Sequence, residues 1–182
     1  MRFLKIALFL YSFLAFSQNN LKTPYEKGNG NQSTTYEECI AYYTTLDNAF
    51  ETISMKEMGL TDSGEPLHIV TFSENKNFDY TQNKAVILVN NGIHPGEPDG
   101  IDASMMLLRD LATSKIKVPK NAIIVVIPVY NIGGSLNRNS FSRANQNGPE
   151  AYGFRGNARN FDLNRDFIKS DSKNSRSFQE IY

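Results

Sequence analysis

Ala85-Val86-Ile87-Leu88-Val89-Asn90-Asn91-Gly92-Ile93-His94-Pro95-Gly96-Glu97 is the stretch that decides the fold. Its first six residues form a short apolar, β-branched run after a polar loop, the pattern of a strand. Asp99 to Ser114 follows, with Ile101, Met105, Leu108 and Ala112 on one helical stripe and acidic residues at its start that complement the helix dipole. Ala122 to Val129 is then a second apolar run, and its lack of polar alternation predicts a strand in a sheet covered by helices on both faces. Strand, helix and strand in this order predict a right-handed crossover in an α/β sandwich, where ligands bind outside the carboxyl ends of the strands. His94 and Glu97 fall at such an end.

Outward from this unit the chain reads as one domain. Thr34 and Thr35 each precede a glutamate by three residues (Glu37, Glu38), a doubled capping-box pattern, and Ile40, Tyr43, Leu46, Phe50 and Ile53 follow at helical spacing. Asp62 to Pro66 is turn chemistry, Leu67 to Phe72 a strand, and Asn75 to Asn83 a polar loop. Asn131 to Asn160 is long, rich in Asn, Gly and Arg, and has little to bury; a loop of that length is functional or disordered, and the arginines near its end favour function. Phe178 and Ile181 begin a helical stripe in Ser172 to Tyr182.

Composition narrows the class. With 182 residues, 40% of them hydrophobic and 21% charged, the chain has the profile of a soluble globular protein. Its 19 basic residues balance 19 acidic ones, so neither nucleic acid nor an anionic membrane surface is indicated as a partner. Arg2 and Lys5, the apolar run Phe3 to Phe16 and the small-x-small site Ala15-Phe16-Ser17 predict a signal peptide over residues 1–17 and export to the periplasm or the extracellular space. The run is shorter than the ~20 apolar residues of a spanning helix, so no span is expected after signal removal. Residues 18–35, polar and rich in Asn, Gly and Thr, are expected as a flexible lead-in, and 36–182 as the folded part. Cys39 is the only cysteine, which excludes an intramolecular disulfide and a thiolate metal cluster; on its helix it reads as a small buried hydrophobe.

At a strand-to-helix junction the i and i+3 side chains can converge on one point, and a nitrogen donor with a carboxylate suits Zn²⁺ at a hydrolytic site. His94 and Glu97 have that spacing. Glu65 and His68 have it in reverse, but on an extended strand the two point to opposite faces. The spacing is weak by itself; the second motif is Arg155-Gly156-Asn157-Ala158-Arg159-Asn160-Phe161-Asp162-Leu163-Asn164-Arg165. His-x-x-Glu, followed by Asp-Leu-Asn-Arg with an arginine nine residues before the Asn, resembles the zinc carboxypeptidase family. Ile127-Pro128-Val129-Tyr130-Asn131-Ile132-Gly133-Gly134 is similar to that family's Pro-x-x-Asn-Pro-Asp-Gly turn, with Ile-Gly in place of Pro-Asp.

The resemblance implies a helix–sheet–helix sandwich around a mixed, largely parallel sheet, incomplete in this chain. It implies Zn²⁺ on His94 and Glu97, a clamp of Asn164 and Arg165 for the free C-terminus of a peptide substrate, and Arg155 facing the oxygen of the scissile carbonyl, with Arg159 as the alternative in the same loop. It also calls for a histidine ligand beyond the Asn-Arg pair and a glutamate general base farther on. No histidine follows His94, and Glu180 lies too close to the motif, so the chain is expected to be the N-terminal part of the domain and inactive alone. The function implied is an exported zinc metallocarboxypeptidase. The alternatives are an N-acyl amino acid deacylase of the aspartoacylase type, which shares His-x-x-Glu and Asp-Leu-Asn-Arg, and a non-catalytic binder of peptide ends.

Overall fold

A computed structural model describes residues 21–182; the expected signal peptide lies outside the described residues. The elements in chain order are α1 (Pro24–Lys27), α2 (Tyr36–Ala49), β1 (Ile53–Leu60), β2 (Pro66–Phe72), β3 (Ala85–Asn90), α3 (Asp99–Ala112), β4 (Ala122–Ile127), α4 (Ile132–Leu136), a 3₁₀ turn (Leu163–Arg165) and α5 (Lys173–Ile181). The four strands form one mixed sheet in the order β1-β2-β4-β3. β3 and β4 run parallel in register from Ala85 opposite Ala122 to Asn90 opposite Ile127, as a helical crossover through α3 requires. β1 with β2 and β2 with β4 are antiparallel, so among the described residues parallel pairing is confined to β3 and β4.

The apolar run of β4 divides between two faces. Ile124 and Val126 join Val70 and Phe72 of β2 under α2 and α3, which contribute Tyr43, Leu46, Met105 and Leu108. Ile123, Val125 and Ile127 join Leu67 and Ile69 on the opposite face, where Phe178 and Ile181 of α5 pack. This is the two-sided cover that the unbroken Ile/Val sequence calls for. β4 ends at Ile127 rather than Val129 because Pro128 has no N–H to continue the ladder.

The structure differs from the sequence expectation elsewhere too, as in the short α4 inside the stretch Asn131 to Asn160 that reads as loop. Ile53, read as the last residue of the α2 stripe, instead opens β1, because Phe50 turns the chain to extended geometry at φ −132° and ψ 115°. Residues 21–35, expected as a flexible lead-in, are docked. Leu21 is in the core, its carbonyl accepts from Tyr42 Oη at 2.9 Å and from Arg109 Nη1 at 3.1 Å, and Thr23 and Glu26 form a capping box on α1. Of the doubled pattern at Thr34 and Thr35, only Thr35 with Glu38 caps α2; the Thr34 hydroxyl donates to the buried carboxylate of Asp102 on α3. No helix among the described residues is long and apolar enough to cross a membrane.

Candidate metal centre

The turn after β3 carries the two proposed ligands. Asn91 N–H continues the β4 pairing to the Ile127 carbonyl at 3.2 Å, its side-chain amide donates to Ser104 Oγ of α3 at 2.9 Å, and Glu97 N–H closes the turn on the His94 carbonyl at 2.8 Å. His94 is buried and Glu97 exposed. The turn brings His94 Nδ1 to 3.9 Å from Glu97 Oε1.

Asp162 organises the other side of the imidazole. Its Oδ1 lies 3.1 Å from His94 Nε2 and accepts from Asn164 N–H at 3.1 Å, while its Oδ2 accepts from Arg155 Nε at 3.2 Å and Arg155 Nη2 at 3.0 Å. Desolvation alone would raise the Asp162 pKa, but the hydrogen bonds from His94, Arg155 and the Asn164 amide prevail and hold it down at about 2. An ionised carboxylate can only accept, so Nε2 of a neutral His94 carries the proton and Nδ1 presents its lone pair. Arg155 Nη1, a donor 3.5 Å from Nδ1, agrees with that tautomer. The five side chains Arg143, Glu97, His94, Asp162 and Arg155 thus form one connected series, with the imidazole between two carboxylates that each face an arginine and with Arg143 Nη2 2.8 Å from Glu97 Oε1.

Arg155 is placed by its backbone as well. Asn131, fully buried at the end of the β4 segment, N-caps α4 by accepting from Gly134 N–H at 2.9 Å and donates through Nδ2 to the Arg155 carbonyl at 2.9 Å. Phe154 N–H bonds to the Gly134 carbonyl at 2.8 Å, and a Cβ on Gly134 would stand 2.4 Å from the Phe154 carbonyl oxygen, so the approach of the two segments requires glycine. The Ile-Gly-Gly sequence therefore forms a close-packed turn around residues 154–156. Arg159 turns elsewhere: its Nη1 donates to the Asp171 carbonyl at 3.3 Å and its guanidinium lies 4.3 Å over the Phe161 ring. Asn164 and Arg165 lie exposed on the 3₁₀ turn that Asp162 caps, and Arg165 Nη1 donates to the Asn164 carbonyl at 3.3 Å.

A tetrahedral zinc with bonds of ~2.1 Å spaces its donors ~3.4 Å apart; His94 Nδ1 and Glu97 Oε1 stand 3.9 Å apart, and the exposed Glu97 side chain has the freedom to close that difference. Among the described residues no group of three or more His, Cys, Asp and Glu side chains gathers to hold a metal ion. The rival pair does not form: His68 Nε2 lies 3.9 Å from Glu57 of the neighbouring strand. Cys39 is fully buried, and burial pushes its thiol far up, away from the thiolate form. Three contributors carry no role in the sequence reading. Asp162 stands in the sequence as part of the Asp-Leu-Asn-Arg motif, and a buried ligand histidine calls for an acid on its second nitrogen. Asn131 is the Asn of the Pro-x-x-Asn turn, and its bond to the Arg155 carbonyl, like the approach of Arg143 to Glu97, depends on folding of the long loop, for which local spacing holds no signal.

The histidine–carboxylate turn thus stands at a parallel strand end, backed by an aspartate that also holds an arginine. The model of the zinc carboxypeptidase family matches residues 39–182, and the chain belongs to that family. Carboxypeptidase A from Helicoverpa armigera superposes with a TM-score of 0.66 at 18% identity, over 83% of this chain and 42% of that one. Bovine thrombin-activatable fibrinolysis inhibitor, in complex with tick carboxypeptidase inhibitor, gives 0.63 at 13% identity over 83% and 56%. A metallo-carboxypeptidase from Burkholderia cenocepacia gives 0.61 at 18% identity over 82% and 38%. At these identities the likeness is one of fold, and the chain spans between 38% and 56% of these structures. No curated protein sequence matches the chain.

Proposed function

We propose that this chain supplies the zinc-binding pair, the oxyanion arginine and the carboxylate clamp of an exported zinc-dependent carboxypeptidase acting on peptides with a free C-terminus. The observation that carries the reading is the double contact of Asp162 with His94 and Arg155, which sets a lone pair on His94 Nδ1 toward Glu97 and a guanidinium beside it. Zinc, when bound by His94 and Glu97, supplies Lewis-acid polarisation of a carbonyl and acidifies water. Asp162 grips Arg155 through Nε and Nη2, so the guanidinium is fixed before substrate arrives and can face charge that develops on the carbonyl oxygen. Arg165 presents an exposed guanidinium fork, which matches a carboxylate bidentately in a way that lysine does not. The proposed export signal is residues 1–17.

Zinc binding by the purified chain tests the metal assignment. Equilibrium dialysis at millimolar zinc should show a weak site, held by two protein ligands, that is lost in both His94→Ala and Glu97→Ala, with thermal unfolding retained. Unchanged zinc uptake in both variants would remove these residues from the site.

A further inference from the structure

The geometry points to Arg143 as a positioning residue for Glu97, holding its carboxylate toward His94 for a metal ion; this rests on the zinc reading above. Arg143 lies in the excursion between Asn139 and Tyr152, whose two backbone hydrogen bonds, each 2.9 Å, close it like a hairpin. The excursion is stitched onto the His94–Glu97 turn. Gly153 N–H bonds to the Pro95 carbonyl at 3.2 Å, Gln146 Nε2 donates to the Gly96 carbonyl at 2.9 Å, and the buried Tyr152 hydroxyl accepts from Arg143 N–H at 3.1 Å.

Gly96 makes room for the guanidinium. A Cβ at that position would stand 2.8 Å from Arg143 Nε and 2.8 Å from the Gly153 carbonyl oxygen. The missing side chain therefore lets Arg143 cross over residue 96 and reach Glu97, which is 54% exposed and would otherwise be free to turn into solvent. Arg143 Nη2 sits 2.8 Å from Glu97 Oε1, the same oxygen that faces His94 Nδ1. The contact is an ion pair rather than an aligned hydrogen bond, so it draws the carboxylate toward this side by charge while lone pairs remain for a metal. Partners of this kind behind ligating carboxylates commonly govern metal affinity 10- to 100-fold.

The test is a zinc titration of the whole 182-residue chain against a competing chelator, for the native protein, Arg143→Met, Arg143→Lys and Gly96→Ala, with His94→Ala as the blank. Arg143→Met keeps most of the aliphatic stem and removes the charge. Its zinc affinity should fall about tenfold or more at an unchanged unfolding temperature, and Arg143→Lys should recover part of the loss. Raising the salt concentration should narrow the gap between the native chain and Arg143→Met, because the Glu97 end of the pair is open to screening. A purely structural role would lower the unfolding temperature and leave affinity at low temperature intact, which overturns the proposal. Equal or tighter zinc binding by Arg143→Met also overturns it, and shows that Arg143 competes with the metal for Glu97. If Arg143→Met fails to fold, Arg143→Lys and Gly96→Ala decide by the same comparison. A native chain that takes up no zinc at millimolar concentration overturns the zinc reading itself, a result distinct from native binding that Arg143→Met leaves unchanged.

Discussion

Asp162 Oδ1 meets His94 Nε2 at 3.1 Å, and through this contact a loop residue decides which nitrogen of a strand-end histidine is free. Removing the carboxylate in Asp162→Ala releases the tautomer and frees Arg155, whose Nε and Nη2 both donate to Asp162 Oδ2. Zinc affinity should fall about 10- to 100-fold. Nitrogen NMR of the imidazole should show Nε2 protonated in the native chain and a mixture of tautomers in the variant. A single unchanged tautomer in Asp162→Ala would mean that the backbone, and not Asp162, sets the ring.

The two arginines should separate kinetically in the active enzyme. Arg155 is pinned beside His94, so Arg155→Ala should chiefly lower kcat, by roughly 10²- to 10³-fold if it acts as an oxyanion donor. Arg165 is exposed on the 3₁₀ turn, so Arg165→Ala should raise KM for peptides with a free C-terminus. Steady-state kinetics on free and amidated peptides check both. Equal activity on the two substrates would end the clamp assignment.

Periodicity made the centre of the fold legible and failed at its edge. The runs Ala85–Asn90 and Asp99–Ser114, the latter ending at Ala112 in the structure, are legible in sequence because both strand and helix bury a stripe against the same core. β1 escapes because it carries Lys56, Glu57 and Gly59 on a strand paired on one side only, and because Ile53 extends the stripe of Leu46 and Phe50 without a break. At the site, the positions of His94 and Glu97 follow from the strand end. Arg143 does not, since its approach to Glu97 depends on the docking of residues 139–153, and this rests on contacts distant in sequence. The docking of the polar lead-in is hidden for a related reason: the partners that hold Leu21, Glu26 and Thr34 are Arg109 and Asp102 on α3, which composition cannot reveal.

Asp166 gives stability a defined acid limit. Only 5% exposed, it accepts from Ser172 N–H at 2.9 Å, Ser172 Oγ at 2.5 Å, Ser175 Oγ at 2.6 Å and Asp171 N–H at 2.8 Å, tying the turn after Arg165 to the start of α5. Desolvation opposes ionisation, but these donors win and lower the pKa from 3.8 to about 2. The folded state thus binds its proton less readily than the unfolded chain, so the stabilisation is complete above pH ~4 and is lost as pH falls from ~4 to ~2. Roughly 2 kcal/mol rides on this group. Chemical denaturation across that range should show Asp166→Asn less stable at neutral pH and with a flatter acid slope than the native chain. Parallel slopes would place the titration elsewhere.

Among the described strands β3 stands at the edge of the sheet, and that edge should be sticky. It pairs with β4 alone among the described strands, and Val86 and Ile87 are 45% and 48% exposed on it. An unpaired, apolar strand edge is a template for another chain. Beside it, Met58, Ile69, Val86, Leu88 and Tyr182 line a cavity of about 420 Å³ on the face that α5 covers only in part. The isolated chain should therefore self-associate as its concentration rises, and Ile87→Lys, which places a charge on the edge opposite Ile124 of β4, should reduce this. Sedimentation velocity over a range of concentrations measures the effect. Association of equal strength in Ile87→Lys would locate the contact on another surface, and a native chain that stays monomeric throughout would show that the edge is protected.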